Sequence, residues 1–129
     1  MTNIINLTPH AIALYSVSDC TEVQSGSYKS LQLNEGASPL ATFPSQGVAR
    51  ASAVKAEVDQ LEIAGQVVAV NATTYGEPEG LPEAVEGTYY IVSALTAQAA
   101  RDRHDLLIVD GTVRDGAGRI CGCTAFGRV

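Results

Sequence analysis

Tryptophan is missing from this chain of 129 residues, and other aromatic rings are scarce, with two Phe and five Tyr. Ala, Val, Ile and Leu must therefore fill the core, without the large anchors that usually stabilise a small domain. One domain, residues 1–129, is expected, because a chain of this length buries roughly two thirds of its unfolded surface in a single core. So light a core predicts that a second copy of the chain covers some of the apolar surface, in a homo-oligomer that is a dimer or higher. No run of about 18 apolar residues exists, which argues against a membrane-spanning helix. The opening Met1-Thr2-Asn3-Ile4-Ile5-Asn6 lacks the basic residues and apolar run of a signal peptide. Cysteine is rare and odd in number, at Cys20, Cys121 and Cys123. A disulfide framework does not use one-residue spacing plus an orphan, so a reducing compartment, the cytoplasm, is expected.

Basic residues are also few. Eight Lys and Arg against fourteen acids leave a net charge of −6. General nucleic-acid binding needs a basic face to displace counterions, so that class is set aside. The charge is unevenly spread: residues 1–100 hold three bases and ten acids, residues 101–129 five arginines and four acids. Six of the eight bases are Arg, whose rigid fork matches phosphate and carboxylate oxygens.

What is present reads mostly as β-structure. Ile4–Leu7 and Ala11–Tyr15 are strand-like around a Thr8-Pro9 break. Residues 16–28, rich in Ser, Thr, Gly and Asp, predict a hairpin or loop, and Ser30–Leu33 alternates. In Gly47–Val54 small apolar and polar side chains alternate, which places Arg50 on one face with Val48 and Ser52 and the alanines on the other. Leu61–Ile63, a turn at Gly65-Gln66, and Val67–Tyr75 predict a hairpin. Residues 76–87 carry two prolines and three glycines and read as a long loop. Thr88–Val92 is a strand, Ser93 an N-cap, and Ala94–Arg101 a short helix. Leu106–Val109 is a strand, and Thr112–Arg114 with Arg119–Cys123 closes a hairpin over Asp115–Gly118. With no βαβ alternation, the expected class is α+β: mostly antiparallel sheet or a small sandwich, with one short helix in the C-terminal third.

Few residues are arranged for chemistry. Gly116, Gly118 and Gly122 have the wrong spacing for a dinucleotide fingerprint, and too little chain follows them for a crossover. Cys121 and Cys123 face one way on a strand but lack a completing pair, so neither a metal nor another cofactor is expected. His10 and His104 sit without a nucleophile elbow, so no catalytic residue is assigned. Arg101-Asp102-Arg103-His104-Asp105 is either a charged turn suited to the helix C-terminus or an anion clamp. Arg50, among small residues, lies on an edge or lines a recess. Tyr75 ends a strand, where its ring either packs with a wet hydroxyl or stacks on a base.

Several motifs together resemble a family of small phage proteins. They are Asn6-Leu7-Thr8-Pro9-His10, Val48-Ala49-Arg50-Ala51-Ser52, Tyr75-Gly76-Glu77 with Gly80-Leu81-Pro82, Gly87–Ser93, and Val113–Ile120. The sequence is similar to the anti-Thoeris sponges, which sequester a cyclic ADP-ribose isomer made by a bacterial TIR-domain defence enzyme. The resemblance implies binding without cleavage, in the cytoplasm of an infected bacterial host, by an oligomer whose pocket lies between subunits. Some members of the family also bind cyclic oligonucleotides. It implies a ligand-contacting role for Arg50, base stacking for Tyr75, and a contact from Arg101 or Arg103. A phage structural or assembly protein and a small nucleotide hydrolase are the alternatives.

Overall fold

The computed structural model describes residues 2–129, with Ser25 described in its backbone alone. Ten strands and one helix follow in order: β1 (Asn3–Asn6), β2 (Ile12–Leu14), β3 (Cys20–Ser25), β4 (Tyr28–Leu33), β5 (Ala41–Phe43), β6 (Ala53–Ile63), β7 (Gln66–Tyr75), β8 (Thr88–Ile91), α1 (Ala94–Ala99), β9 (Leu106–Arg114) and β10 (Ile120–Gly127). The α+β class, mostly strand with one short helix, holds. Eight strands make one sheet along the path β1-β8-β9-β10-β2-β5, with the β3–β4 hairpin joined to β9. The long ladders, β9–β10 and β3–β4, are antiparallel, whereas the parallel pairings of β1–β8, β8–β9, β4–β9 and β2–β10 are short.

The two ends of that path meet, so the sheet curls into a barrel-like body. Asn6 and Ser45 form a parallel bridge, and Gln46 N donates to Asn6 O at 2.9 Å. Asn6 is fully buried at this seam, and its amide is saturated. Its Nδ2 donates to His10 O (2.7 Å) and Phe43 O (2.9 Å), while Oδ1 accepts from Thr8 N and Thr8 Oγ1. A buried amide is tolerated only when its partners are supplied in this way. Thr8-Pro9, read as a break, is thus the turn that lets β1 end on the seam.

The core is as light as the composition implies. Leu7, Ala49, Tyr90, Val92, Ala97, Ala100 and Leu106 form its buried cluster, three of them alanines. Small side chains bring backbones close: a Cβ built on Gly122 would stand 2.5 Å from Ala13 O and 2.6 Å from the Tyr15 ring. Ser93 caps α1 as expected, accepting from Thr96 N at 3.3 Å. The helix stops at Ala99, two residues short of the expected Arg101. There Ala100 N reaches both Thr96 O and Ala97 O, and Arg103 N turns back onto Ala100 O.

The β6–β7 hairpin stands apart as its own two-stranded sheet. It turns at Ala64-Gly65, whose φ angles of 52° and 80° are both left-handed, as a tight primed turn requires. The expected turn lay one residue later. β6 also begins eight residues earlier than the expected Leu61, because pairing with β7 overrides the low strand propensity of Lys55, Glu57, Asp59 and Gln60.

Candidate functional site

Arg50 sits where the arm joins the body. Its segment, expected as a continuous strand, is extended but divides its hydrogen bonds between two partners. Ala49 N donates to Leu7 O at 3.0 Å, while Arg50 exchanges both backbone bonds with Glu79, at 2.8 and 2.7 Å. Ala49 is buried and Arg50 exposed, as the alternation predicts. The loop of residues 76–87 lies on this segment because Gly80, at φ +78°, lets its backbone approach Val48. A Cβ there would stand 2.8 Å from Val48 O.

Arg50 therefore occupies a ridge between two small clefts. One, of about 290 Å³, is lined by Thr8, Ala49, Ala51, Ser93 and Thr96 among others. The second, of about 170 Å³, holds Ser52, Glu77 and Glu79. Among the described residues, no carboxylate lies within ion-pair distance of the Arg50 guanidinium. Its donors are therefore free of an ion-pair partner, although Arg50 lines the Glu77 and Glu79 cleft as well as the hydroxyl-lined one. Each cleft is smaller than the roughly 300–1,000 Å³ of an ordinary ligand pocket.

Tyr75 ends β7 opposite Ala53, at the root of the arm, and is 44% exposed. The junction continues through Gly76 N, which donates to Ser52 O at 2.9 Å. The structure thus brings Arg50 and Tyr75 to one junction.

Arg101 and Arg103 are elsewhere. They follow the C-terminal end of α1, whereas the hydroxyl-lined Arg50 cleft borders its N-terminal end at Ser93 and Thr96. Arg103 is already engaged: Nε and Nη2 donate to the two Asp105 carboxylate oxygens at 2.8 and 2.7 Å. The paired guanidinium holds the Asp105 carboxyl below its ordinary range, and the carboxylate in turn raises Arg103. Arg101 is exposed and, among the described residues, has no side-chain partner.

A third cleft, the widest of the apolar ones at about 480 Å³, adjoins the Arg50 cleft through shared Thr8 and Ser93. Ile12, Val92, Ile108, Val109, Ile120 and the two C-terminal thiols line it. Sequence reasoning missed this cleft, because its walls come from strands over a hundred residues apart. Burial pushes the Cys121 and Cys123 thiols up, which keeps them protonated and weakly nucleophilic. Among the described residues, no group of three or more His, Cys, Asp and Glu side chains is placed to hold a metal ion. No helix among them is long and apolar enough to cross a membrane. No known family, curated protein or solved structure matches the chain.

Proposed function

We propose that this chain is a phage anti-defence protein that binds and sequesters a cyclic ADP-ribose-type signal without cleaving it. It acts as a homo-oligomer in the cytoplasm of an infected bacterial host. The observation that carries the reading is the unpaired Arg50 guanidinium on its ridge, with Tyr75 at the same junction. A cyclic ADP-ribose offers a pyrophosphate, an adenine face and ribose hydroxyls. Arg50 supplies paired donors for the first, and Tyr75 a ring for the second. Thr8 and Ser93 supply hydroxyl oxygens that can still accept from a ribose. The clefts around Arg50 are too small to enclose such a molecule, which fits a pocket completed by another subunit. Arg101, with its fork free, is better placed than Arg103 to reach the ligand in that assembly. Tight binding without turnover requires that nothing reactive be aimed at the glycosidic bond or phosphorus. The raised thiols agree with that.

Incubation with the cyclic ADP-ribose isomer, followed by heat denaturation and chromatography, tests the reading. Release of the unchanged molecule is expected. An altered product means a hydrolase, and nothing retained points to a structural protein. Calorimetry then assigns the residues. Arg50→Ala should cost roughly 1.5–3 kcal/mol, one to two decades in affinity, with only part recovered in Arg50→Lys. Tyr75→Phe should bind like the parent, while Tyr75→Ala should lose about 1–3 kcal/mol by analogy with stacking on single strands. Parental affinity in all four variants would move the site away from this junction.

A further inference from the structure

Charged residues make up 17% of the chain, yet none of the fifteen residues around the 480 Å³ cleft is Asp, Glu, Lys or Arg. Its floor is dry, with Val92 and Cys123 only 2 and 1% exposed. Its rim is not: Val109 and Ile120 stand 42 and 60% exposed. The cleft is preformed, because β2 and β9 flank β10 in one curled sheet and ladder hydrogen bonds hold these strands apart. Its volume lies within the roughly 300–1,000 Å³ of small-molecule sites, which are likewise apolar with a few polar groups.

Those polar groups are mostly spent. Thr8 Oγ1 gives its proton to Asn6 Oδ1 or His10 O. Thr96 Oγ1 donates to Ala49 O, which makes Ser93 the donor in the 3.0 Å bond between their hydroxyls. The Cys121 thiol turns to Val113 O. His10 is exposed and enters the described hydrogen bonds through its carbonyl alone, so its imidazole is left to donate or accept. Thr112 also keeps its hydroxyl, but it opens onto the Glu22 and Lys29 cleft as well. An anion would meet no Lys or Arg here, and the charges felt at the two thiols are the carboxylates of Asp110 and Asp115. A cation would find no carboxylate in the lining, and burying either charge unpaired is costly.

We infer that the cleft binds a small, uncharged, largely apolar molecule whose single polar group hydrogen-bonds to the His10 imidazole. The apolar body sits over Val92 and Cys123 and covers Val109 and Ile120 at the rim. This site is independent of the proposed function, since it uses neither Arg50 nor Tyr75.

Three probes of one shape test it: naphthalene, 2-naphthol and naphthalene-2-sulfonate, each titrated into isotope-labelled protein and followed by amide chemical shifts. Shifts should centre on Ile12, Val92, Ile108, Ile120 and Cys123. 2-Naphthol should bind roughly three- to ten-fold more tightly than naphthalene, the worth of one hydrogen bond, and about ten-fold or more above the sulfonate. His10→Phe should erase the advantage of 2-naphthol and leave naphthalene unchanged, which a merely structural role for His10 would not do. Ala94→Trp, at an exposed position on the cleft, should block all three probes with the melting temperature preserved. No binding up to the solubility of the probes overturns the inference. So do shifts centred on Val54, Leu61 and Val68 of the arm, sulfonate binding equal to that of 2-naphthol, or a 2-naphthol preference that survives His10→Phe and is lost in Thr112→Val. A protein that takes up 2-naphthol in this cleft and retains no cyclic nucleotide would sink the proposed function and leave the apolar site standing.

Discussion

Val113 and Val67 both sit in antiparallel ladders, yet the first is fully buried and the second is 66% exposed. Strand propensity is the same at the two positions; what differs is that Val113 is paired on both sides, with Gly122 and Leu31, whereas Val67 is paired only with Glu62, and what lies on the faces. In the body, β9 is flanked by β8, β4 and β10 and curled around a small core, so burial holds it. In the arm, stability within one chain rests on cross-strand pairs worth about 0.2–1 kcal/mol each. Body and arm are thus held by different forces, and substitutions should separate them.

The largest contrast is between two asparagines. Asn6→Ala removes four hydrogen bonds at the seam of the barrel and takes the Nδ2 donor from Phe43 O, while Thr8 Oγ1 stays within reach of His10 O. A loss of about 3 kcal/mol is expected, with a melting temperature lower by roughly 10 °C. Asn71→Ala, in the solvated arm, should stay within about 0.5 kcal/mol. Similar losses in thermal melts of the two variants would break the contrast.

Next comes a pair of ion pairs. Arg103–Asp105 is largely shielded, whereas Lys29–Glu22 is spread in solvent at 3.3 Å. Because Arg103 lowers the folded-state pKa of Asp105, its contribution is present at neutral pH and fades as pH falls through that lowered value. Asp105→Asn should cost roughly 1–2 kcal/mol at pH 7, trimmed for solvent at the rim, and nearly nothing once both forms are neutral. Urea titrations at pH 7 and at low pH check the sign. A deficit that persists at low pH removes the ion pair as its cause. Glu22→Gln should change nothing measurable.

The smallest effect tests whether arm and body unfold separately. Ala64 holds φ 52°, which glycine adopts without a Cβ penalty. Ala64→Gly should strengthen the arm by about 0.5–1 kcal/mol, read as slower amide exchange at Val67–Val70, with body amides unmoved. Slower exchange at Ile91 and Val113 as well would make arm and body one cooperative unit.

Much of the local structure was legible from residues alone. Ser93 had to cap something, since its hydroxyl precedes four helix-tolerant residues. Thr88–Val92 had to be a strand, and it ends one residue early at Ile91; Arg50 had to point away from Ala49. The start of β6 was not legible, because Lys55, Glu57, Asp59 and Gln60 carry no strand preference and are held by β7 alone. Nor did alternation reveal that Arg50 and Glu79 bridge, or that Arg103 spends its fork on Asp105 while Arg101 stays free. Those outcomes depend on which segments meet across the loop and the turn.

By itself the sequence determined what can be settled within a dozen residues: which stretches extend, where the helix begins, where turns fall, and that the core must be built of small side chains. Periodicity and capping act locally, so they survive without a fold. Only the tertiary structure decided that β1 and β5 meet over Asn6, that Thr8, Arg50 and Ser93 share a cleft, and that one face of the arm is left uncovered. Each depends on contacts between distant segments, where the closure of the sheet, and not the preference of any residue, selects the partner.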